Sequence, residues 1–458
     1  MTLNKYFGPL KFYKYALSLS IPIMIQMFIQ NFVSLIDNFM VANLGNIKMS
    51  AVNTSNQVTF LFFVSVTTLA IGGGIFMAQS NGAKDKRGMQ QSFQFKMLAM
   101  AVVATIMIIA SYFFPRHVLK FLLQDNNDVE AIIEEGIPYL RLISFSFIPY
   151  TFSVAISSSL RDIGRVKVPM YVVIASTLVN SFFNYCLIYG HCYLPRLEAR
   201  GAAYATIIAR LFELSIYLIY LHRLKPDFYI KVSQIFKIDW RAFAKIFNCA
   251  IFVFIADMSW AVSETIAVAV YNGRGGSEVV AGMAAGWTIA NLFFLIFPTV
   301  STCVSVIVGT TLGKGDLERA KLEAKWLRFG AIIAGAFAGI LELSSIFFIP
   351  IIYAGLTVTA HAIVRELLMI VSIYMPLWTY QNAQYATARA GGDTVMSVWI
   401  DCFVNVGLFV PGMLLLGYFT EIDAPSMYGI VKVTSIVKAV LAGWILKKER
   451  WVRKIVSN

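Results

Sequence analysis

Charge is scarce in this sequence: Asp, Glu, Lys and Arg make up 14% of 458 residues, against about 25% in ordinary soluble domains. That scarcity argues against a self-standing water-soluble fold, since Ala, Val, Ile, Leu, Met, Phe, Trp, Tyr and Cys reach 58% and the mean hydropathy is +0.69. Cysteine is sparse too. Cys186, Cys192, Cys249, Cys303 and Cys402 are odd in number without Cys-x-x-Cys spacing, and the four histidines are scattered, so neither a disulfide framework nor a metal site is indicated. No His-Glu-x-x-His, Gly-x-Ser-x-Gly or paired-His helix occurs, which argues against an integral-membrane enzyme. A small-residue cleavage site is missing after the basic, then apolar start MTLNKYFGPLKFYKYALSLSIPIM, and the apolar run continues past Phe39. The expectation is a retained first membrane helix.

What the chain does have is apolar blocks of about 20 residues, the length that crosses about 30 Å of hydrocarbon. Twelve spans are expected, at residues 16–42, 52–79, 93–114, 137–159, 167–190, 199–221, 246–271, 281–311, 327–354, 362–387, 395–417 and 427–446. The net charge of +13 sits between these blocks and forms no basic domain, so it reads as membrane topology rather than nucleic-acid binding. Under the positive-inside rule one set of connections is basic: Lys5, Lys11 and Lys14, then Lys84 to Lys96, Arg161 to Lys167, Arg223 to Lys245, Lys314 to Arg328, and Lys447 to Lys454. The other set is poor in Lys and Arg, and its largest member, Gln124 to Glu135, is acidic. Both termini are therefore expected in the cytoplasm.

Internal similarity sets the architecture. NGAKDKRGMQQ pairs Gly82 with Gly313 and Asp85 with Asp316 of LGKGDLERAKL, at an offset of 231. LRDIGRVKVPM pairs Arg161 with Arg389 and Gly164 with Gly392 of ARAGGDTVMSV, at 228, and Gly45 matches Gly275 at 230. Each half holds an even number of spans, so both halves share one orientation. The expected fold is an all-α membrane protein of twelve transmembrane helices, in two six-helix lobes related by a pseudo-twofold axis along the membrane normal. The lobes fall at residues 1–221 and 246–458, with a cytoplasmic basic linker at 222–245. The linker reads equally as a short interfacial helix or as a solvated connection. The basic glycine loops read as tight turns with Arg or Lys anchored at the headgroups.

These segments resemble the multidrug and toxic compound extrusion (MATE) family over nearly the whole chain. The pieces that carry the likeness are FVSLIDNFMVANLG (residues 32–45), SLRDIGRVKVPM (159–170), RGAAYATIIAR (200–210), IVGTTLGKGDLERAK (307–321) and RAGGDT (389–394), and their combination is most similar to the bacterial DNA-damage-inducible branch. The resemblance implies alternating access and export of amphipathic organic cations driven by inward proton or sodium flow. It implies no cofactor beyond H+ or Na+ as coupling ion, and a monomer in the inner membrane, surrounded by lipid.

Ionisable residues at depth cost at least about 2.5–3.5 kcal/mol, so each raises a functional question. Asp37 lies in the outer half of span 1 and matches the acidic residue of the family's first-lobe motif; it could take up a proton or, with neighbouring oxygens, sodium. Asn180 and Asn184 share one face of span 5, where relatives place polar or acidic residues. In span 7, Asp257 and Glu264 are seven apart and should look the same way, with Trp260 and Ala261 between them. Asp257 stands where many relatives have Glu, with Ala256 in place of Asn, so a second-lobe sodium site there is possible but altered. Asp401 and Asn405 form a third polar face. Arg210 and Glu213 should pair with each other, Arg141 and Lys432 should snorkel, and Lys438 has no evident partner. Met258, Trp260, Trp287, Trp378 and Tyr385 are candidates to line a drug cavity. A lipid or lipid-linked-sugar flippase of the same superfamily is the main alternative, but it should need several cations at depth. A channel is a further alternative.

Overall fold

The structure, a computed structural model, describes residues 6–42, 44, 46–122, 129–274, 276–353 and 355–456. The Gly45 and Gly275 pair, Lys5, and residues 124–128 of the acidic connection lie outside the described residues. Regular structure among the described residues is all helical. The order is α1 (Leu10–Ala42), α2 (Asn46–Ala83), α3 (Lys86–Phe113), α4 (Pro115–Leu122), α5 (Val129–Ser144), α6 (Phe147–Asp162), α7 (Lys167–Tyr189) and α8 (Glu198–Leu224). Then come α9 (Trp240–Arg274), α10 (Ser277–Phe293), α11 (Ile296–Gly313), α12 (Leu317–Ser344), α13 (Ile349–Ile352), α14 (Val358–Ala390), α15 (Val395–Asp401), α16 (Val410–Phe419), α17 (Ala424–Lys432) and α18 (Thr434–Lys447).

Among the described residues eleven helices are long and apolar enough to cross a bilayer, and α5 with α6, bent by 45° at a short break, brings the number to twelve when the pair is counted as one span. The expected span 11 is interrupted: α15 passes into a π-helical stretch, Cys402–Phe409, before α16. Such π segments loosen the backbone ladder and recur at functional positions.

By packing the chain falls into two compact units. The N-unit holds Ile25–Met77 and Asp85–Phe247; the C-unit holds Met1–Met24, Ala78–Lys84 and Asn248–Asn458. The N-unit buries Val52, Leu119, Ile133, Leu140 and Ile188 together, and the C-unit buries Met283, Leu367, Met375, Met413 and Met427.

The repeat is visible in local chemistry. Asp85 Oδ1 accepts from Gly88 N at 3.0 Å and caps α3, and Asp316 Oδ1 accepts from Arg319 N at 3.1 Å and caps α12. Gly164 and Gly392 are left-handed, at φ 81° and 76°, as their tight turns require. Within the C-unit, Gly82 abuts the backbone of Thr310 and Gly313 abuts that of Gln79, each too close for a side chain. Small residues are how membrane helices bring their backbones together.

Of the expected linker, 222–224 end α8 and 240–245 begin α9, and between them lies a 3₁₀ turn, Val232–Gln234, with no separate α-helix. Glutamines of α3 claim its carbonyls instead: Gln90 Nε2 donates to Tyr229 O at 2.9 Å and Gln94 Nε2 to Gln234 O at 2.7 Å. Phe228, fully buried, packs on Phe93 at 5.0 Å.

Candidate functional site

In the N-unit, α1 and α7 bring three predicted residues together. Asn184 Nδ2 donates to Asp37 Oδ1 at 2.8 Å and approaches Asn180 Oδ1 at 3.3 Å. Asn184 is buried and its own Oδ1 is without a hydrogen-bond partner. Among the described residues no Lys or Arg lies within ion-pair distance of Asp37. A half-buried carboxylate beside amide oxygens, with no counter-charge, presents oxygen donors of the kind a hard monovalent cation or a proton takes.

Two other acids of the N-unit, Asp162 and Glu213, are buried and paired. Arg210 Nη1 meets Glu213 Oε2 at 2.6 Å, with its guanidinium over the Tyr150 ring at 4.9 Å. Lys96, placed by sequence among the cytoplasmic charges, is instead fully buried. Its Nζ bonds Asp162 Oδ2 at 2.5 Å and the hydroxyls of Ser158 and Ser159 at 3.1 and 3.3 Å. Gly73 and Gly74 of α2 leave the room this pair occupies: a side chain at Gly73 would meet Lys96, and one at Gly74 would meet Asp162. Sequence reasoning passed over Asp162, whose signal was an acid in the last turn of an apolar span.

In the C-unit every predicted carboxylate has a cation. Arg389 Nη2 donates to Asp257 Oδ1 at 3.2 Å, so Arg389 is no headgroup anchor. Lys432 bonds Glu264, whose other oxygen accepts from Tyr428 OH at 3.3 Å. Lys432 does not snorkel. It is 8% exposed, with its ammonium 4.4 Å from the Phe409 ring centroid and 4.9 Å from that of Tyr428, because α17 ends there and the acid on α9 compensates it. Lys438 finds the partner that the sequence did not reveal: Asp401 Oδ1, at 2.8 Å, which also accepts from Tyr385 OH at 3.0 Å. Asn405, in the π segment, is buried with its Nδ2 unpartnered. Asp257, Glu264 and Asp401 thus sit in three separate ion pairs, not one cluster.

The cavity candidates divide. Tyr385 is buried at Asp401, whereas Trp260 is 51% exposed and Met258 partly so. Trp287 Nε1 donates to Tyr271 OH at 3.0 Å, and Trp378 Nε1 to Ser435 Oγ at 3.1 Å, with the Trp378 ring stacked on Tyr374 at 5.5 Å. A second acid escaped the sequence reading. Glu342 of α12 is fully buried with neither carboxyl oxygen hydrogen-bonded.

Up to twelve apolar spans, with ion pairs buried among them, define a multi-pass membrane protein. The MatE family profile matches residues 22–186 and 251–414, and the chain belongs to that family. It is 25% identical over 377 residues to the probable multidrug resistance protein YoeA of Bacillus subtilis, covering 79% of this chain and 78% of that one. To the multidrug resistance protein NorM of Vibrio cholerae it is 25% identical over 405 residues, covering 84% of each. An outward-facing structure of a multidrug resistance MATE family transporter superposes with a TM-score of 0.83 at 18% identity, over 96% of this chain and 95% of that one, which shows the shared fold.

Proposed function

We propose that this protein is a cation-coupled multidrug exporter that moves amphipathic organic cations out of the cell by alternating access, exchanging them for protons or sodium. The observation that carries the reading is the Asp37, Asn180 and Asn184 cluster. It sets the one predicted carboxylate lacking a cationic partner against the amide N–H of Asn184, so an incoming cation need not displace a lysine or arginine. At Asp257, Glu264 and Asp401 a coupling ion would have to compete with Arg389, Lys432 and Lys438 respectively. Inner-membrane insertion with both termini cytoplasmic, two six-helix lobes joined at 222–245 and a monomeric working unit belong to the same reading, and multidrug names among the relatives support the substrate class.

The test is efflux of a fluorescent organic cation from proteoliposomes, under a proton or a sodium gradient imposed separately. Wild type should respond to at least one gradient and Asp37→Asn to neither. Normal gradient-driven efflux by Asp37→Asn overturns the assignment of Asp37. If wild type exports no organic cation under either gradient, the exporter reading falls.

A further inference from the structure

Cys186 and Cys192 stand apart from the other cysteines. Cys186 lies buried in the last turn of α7, Cys192 is exposed on the connection that follows, and their sulfurs are 3.2 Å apart. Backbone geometry produces the approach. Gly190, left-handed at φ 79°, caps α7 by donating its N–H to Cys186 O at 3.0 Å, and His191 N–H donates to the same carbonyl at 2.9 Å. The chain then turns back with Cys192 at φ 54° and Tyr193 at φ 60°. Left-handed backbone costs a residue with a side chain about 1–2 kcal/mol and persists only where the surroundings enforce it. Here the His191 ring stacks on Tyr185 at 4.5 Å, Leu194 N–H bonds His191 O at 3.1 Å, and Leu197 N–H bonds Leu187 O at 2.8 Å. This strained turn holds the exposed sulfur against the buried one.

We propose that Cys186 and Cys192 are a redox-active dithiol that closes to an intramolecular disulfide by exchange with a low-molecular-weight disulfide. Cys192, reachable from solvent, gives its proton to water and attacks one sulfur of the external disulfide. That bond breaks, one half leaves as a thiolate that takes up a proton, and a mixed disulfide remains on Cys192. Cys186 then loses its proton and attacks Cys192 Sγ, and the second half leaves in the same way. Two cysteine thiols are oxidised, and the external disulfide is reduced to two thiols.

The bond would fix the end of α7 to the connection at residues 190–197. That end also carries Asn184, bonded to Asp37, and Tyr189, whose hydroxyl bonds Met40 O at 3.1 Å. On the coupling role proposed above for Asp37, closing the disulfide slows transport.

The test uses the purified full-length protein incubated with oxidised glutathione, then digested and weighed without reductant. The fragment holding both cysteines should be two hydrogens lighter and free of glutathione. Cys186→Ser should keep glutathione on Cys192, and Cys192→Ser should keep none on Cys186. A stable glutathione adduct on wild-type Cys192, or two thiols that both remain open to alkylation, overturns the proposal. These masses do not depend on transport, so they stand or fall apart from the Asp37 reading. Oxidised wild type should also lose efflux several-fold and regain it with reductant, while Cys192→Ser stays constant. A disulfide that forms without changing efflux refutes the link to the Asp37 cluster.

Discussion

In the C-unit Asp257, Glu264 and Asp401 each face a cation of their own unit, whereas in the N-unit Asp37 faces the amide of Asn184. Carboxylates in the two units therefore meet different surroundings. A neutralised pair holds helices in register, and each partner's removal strands the other in a low-dielectric interior. A carboxylate supported by amides keeps its charge available to something that arrives and leaves. The acids of Lys96–Asp162 and Arg210–Glu213 show that the N-unit also builds neutralised pairs, which Asp37 does not join.

The comparison breaks first at its structural side. Asp401→Asn should destabilise the protein by about 3–5 kcal/mol, because the Lys438 ammonium is left buried without its counter-charge. The double variant Asp401→Asn with Lys438→Met should recover most of the loss and keep ion-driven efflux. Thermal unfolding in detergent and liposome efflux measure both, and a double variant that folds but has lost ion drive would place coupling in the C-unit. Next comes Asp37→Asn, expected to lower gradient-driven efflux about 100-fold, near the upper end of common coupling energies, with the unfolding temperature unchanged. A large drop in that temperature would make Asp37 structural.

Two smaller effects concern the packing that carries the pairs. Gly313→Ala should cost about 1–3 kcal/mol by overpacking against the Gln79 backbone, read as a lower unfolding temperature; an unchanged temperature would mean that this helix contact is not a tight one. Glu342→Leu should stabilise the protein by about 1 kcal/mol or more, since it removes a buried carboxyl whose oxygens have no partner. Destabilisation there would show that Glu342 has a partner in the working protein.

Much of the fold was legible because span length and turn chemistry are local. The apolar blocks marked the helices, and the repeat marked the capping aspartates Asp85 and Asp316 and the left-handed Gly164 and Gly392. What sequence could not show was long-range pairing. Lys438 reaches Asp401 across 37 residues, Lys432 reaches Glu264 across 168, and Lys96 reaches Asp162 across 66. No spacing rule links residues on different helices, so Lys432 read as snorkelling and Lys96 as one of the cytoplasmic charges. Asn180 and Asn184 were legible as a pair because they are neighbours on one helix, and Asp37 met them only through the family resemblance. Glu342 went unnoticed because a lone acid in an apolar run carries no periodic signal, and the π segment because Cys402–Phe409 continues the apolar run of its span.

The most direct test of the central claim is ion displacement by substrate on the purified protein, without a gradient. A transported organic cation added in weak buffer, or with a sodium indicator present, should release protons or sodium from wild type. The double variant Asp401→Asn with Lys438→Met should release as much as wild type, and Asp37→Asn should release none. Undiminished release from Asp37→Asn would contradict the account.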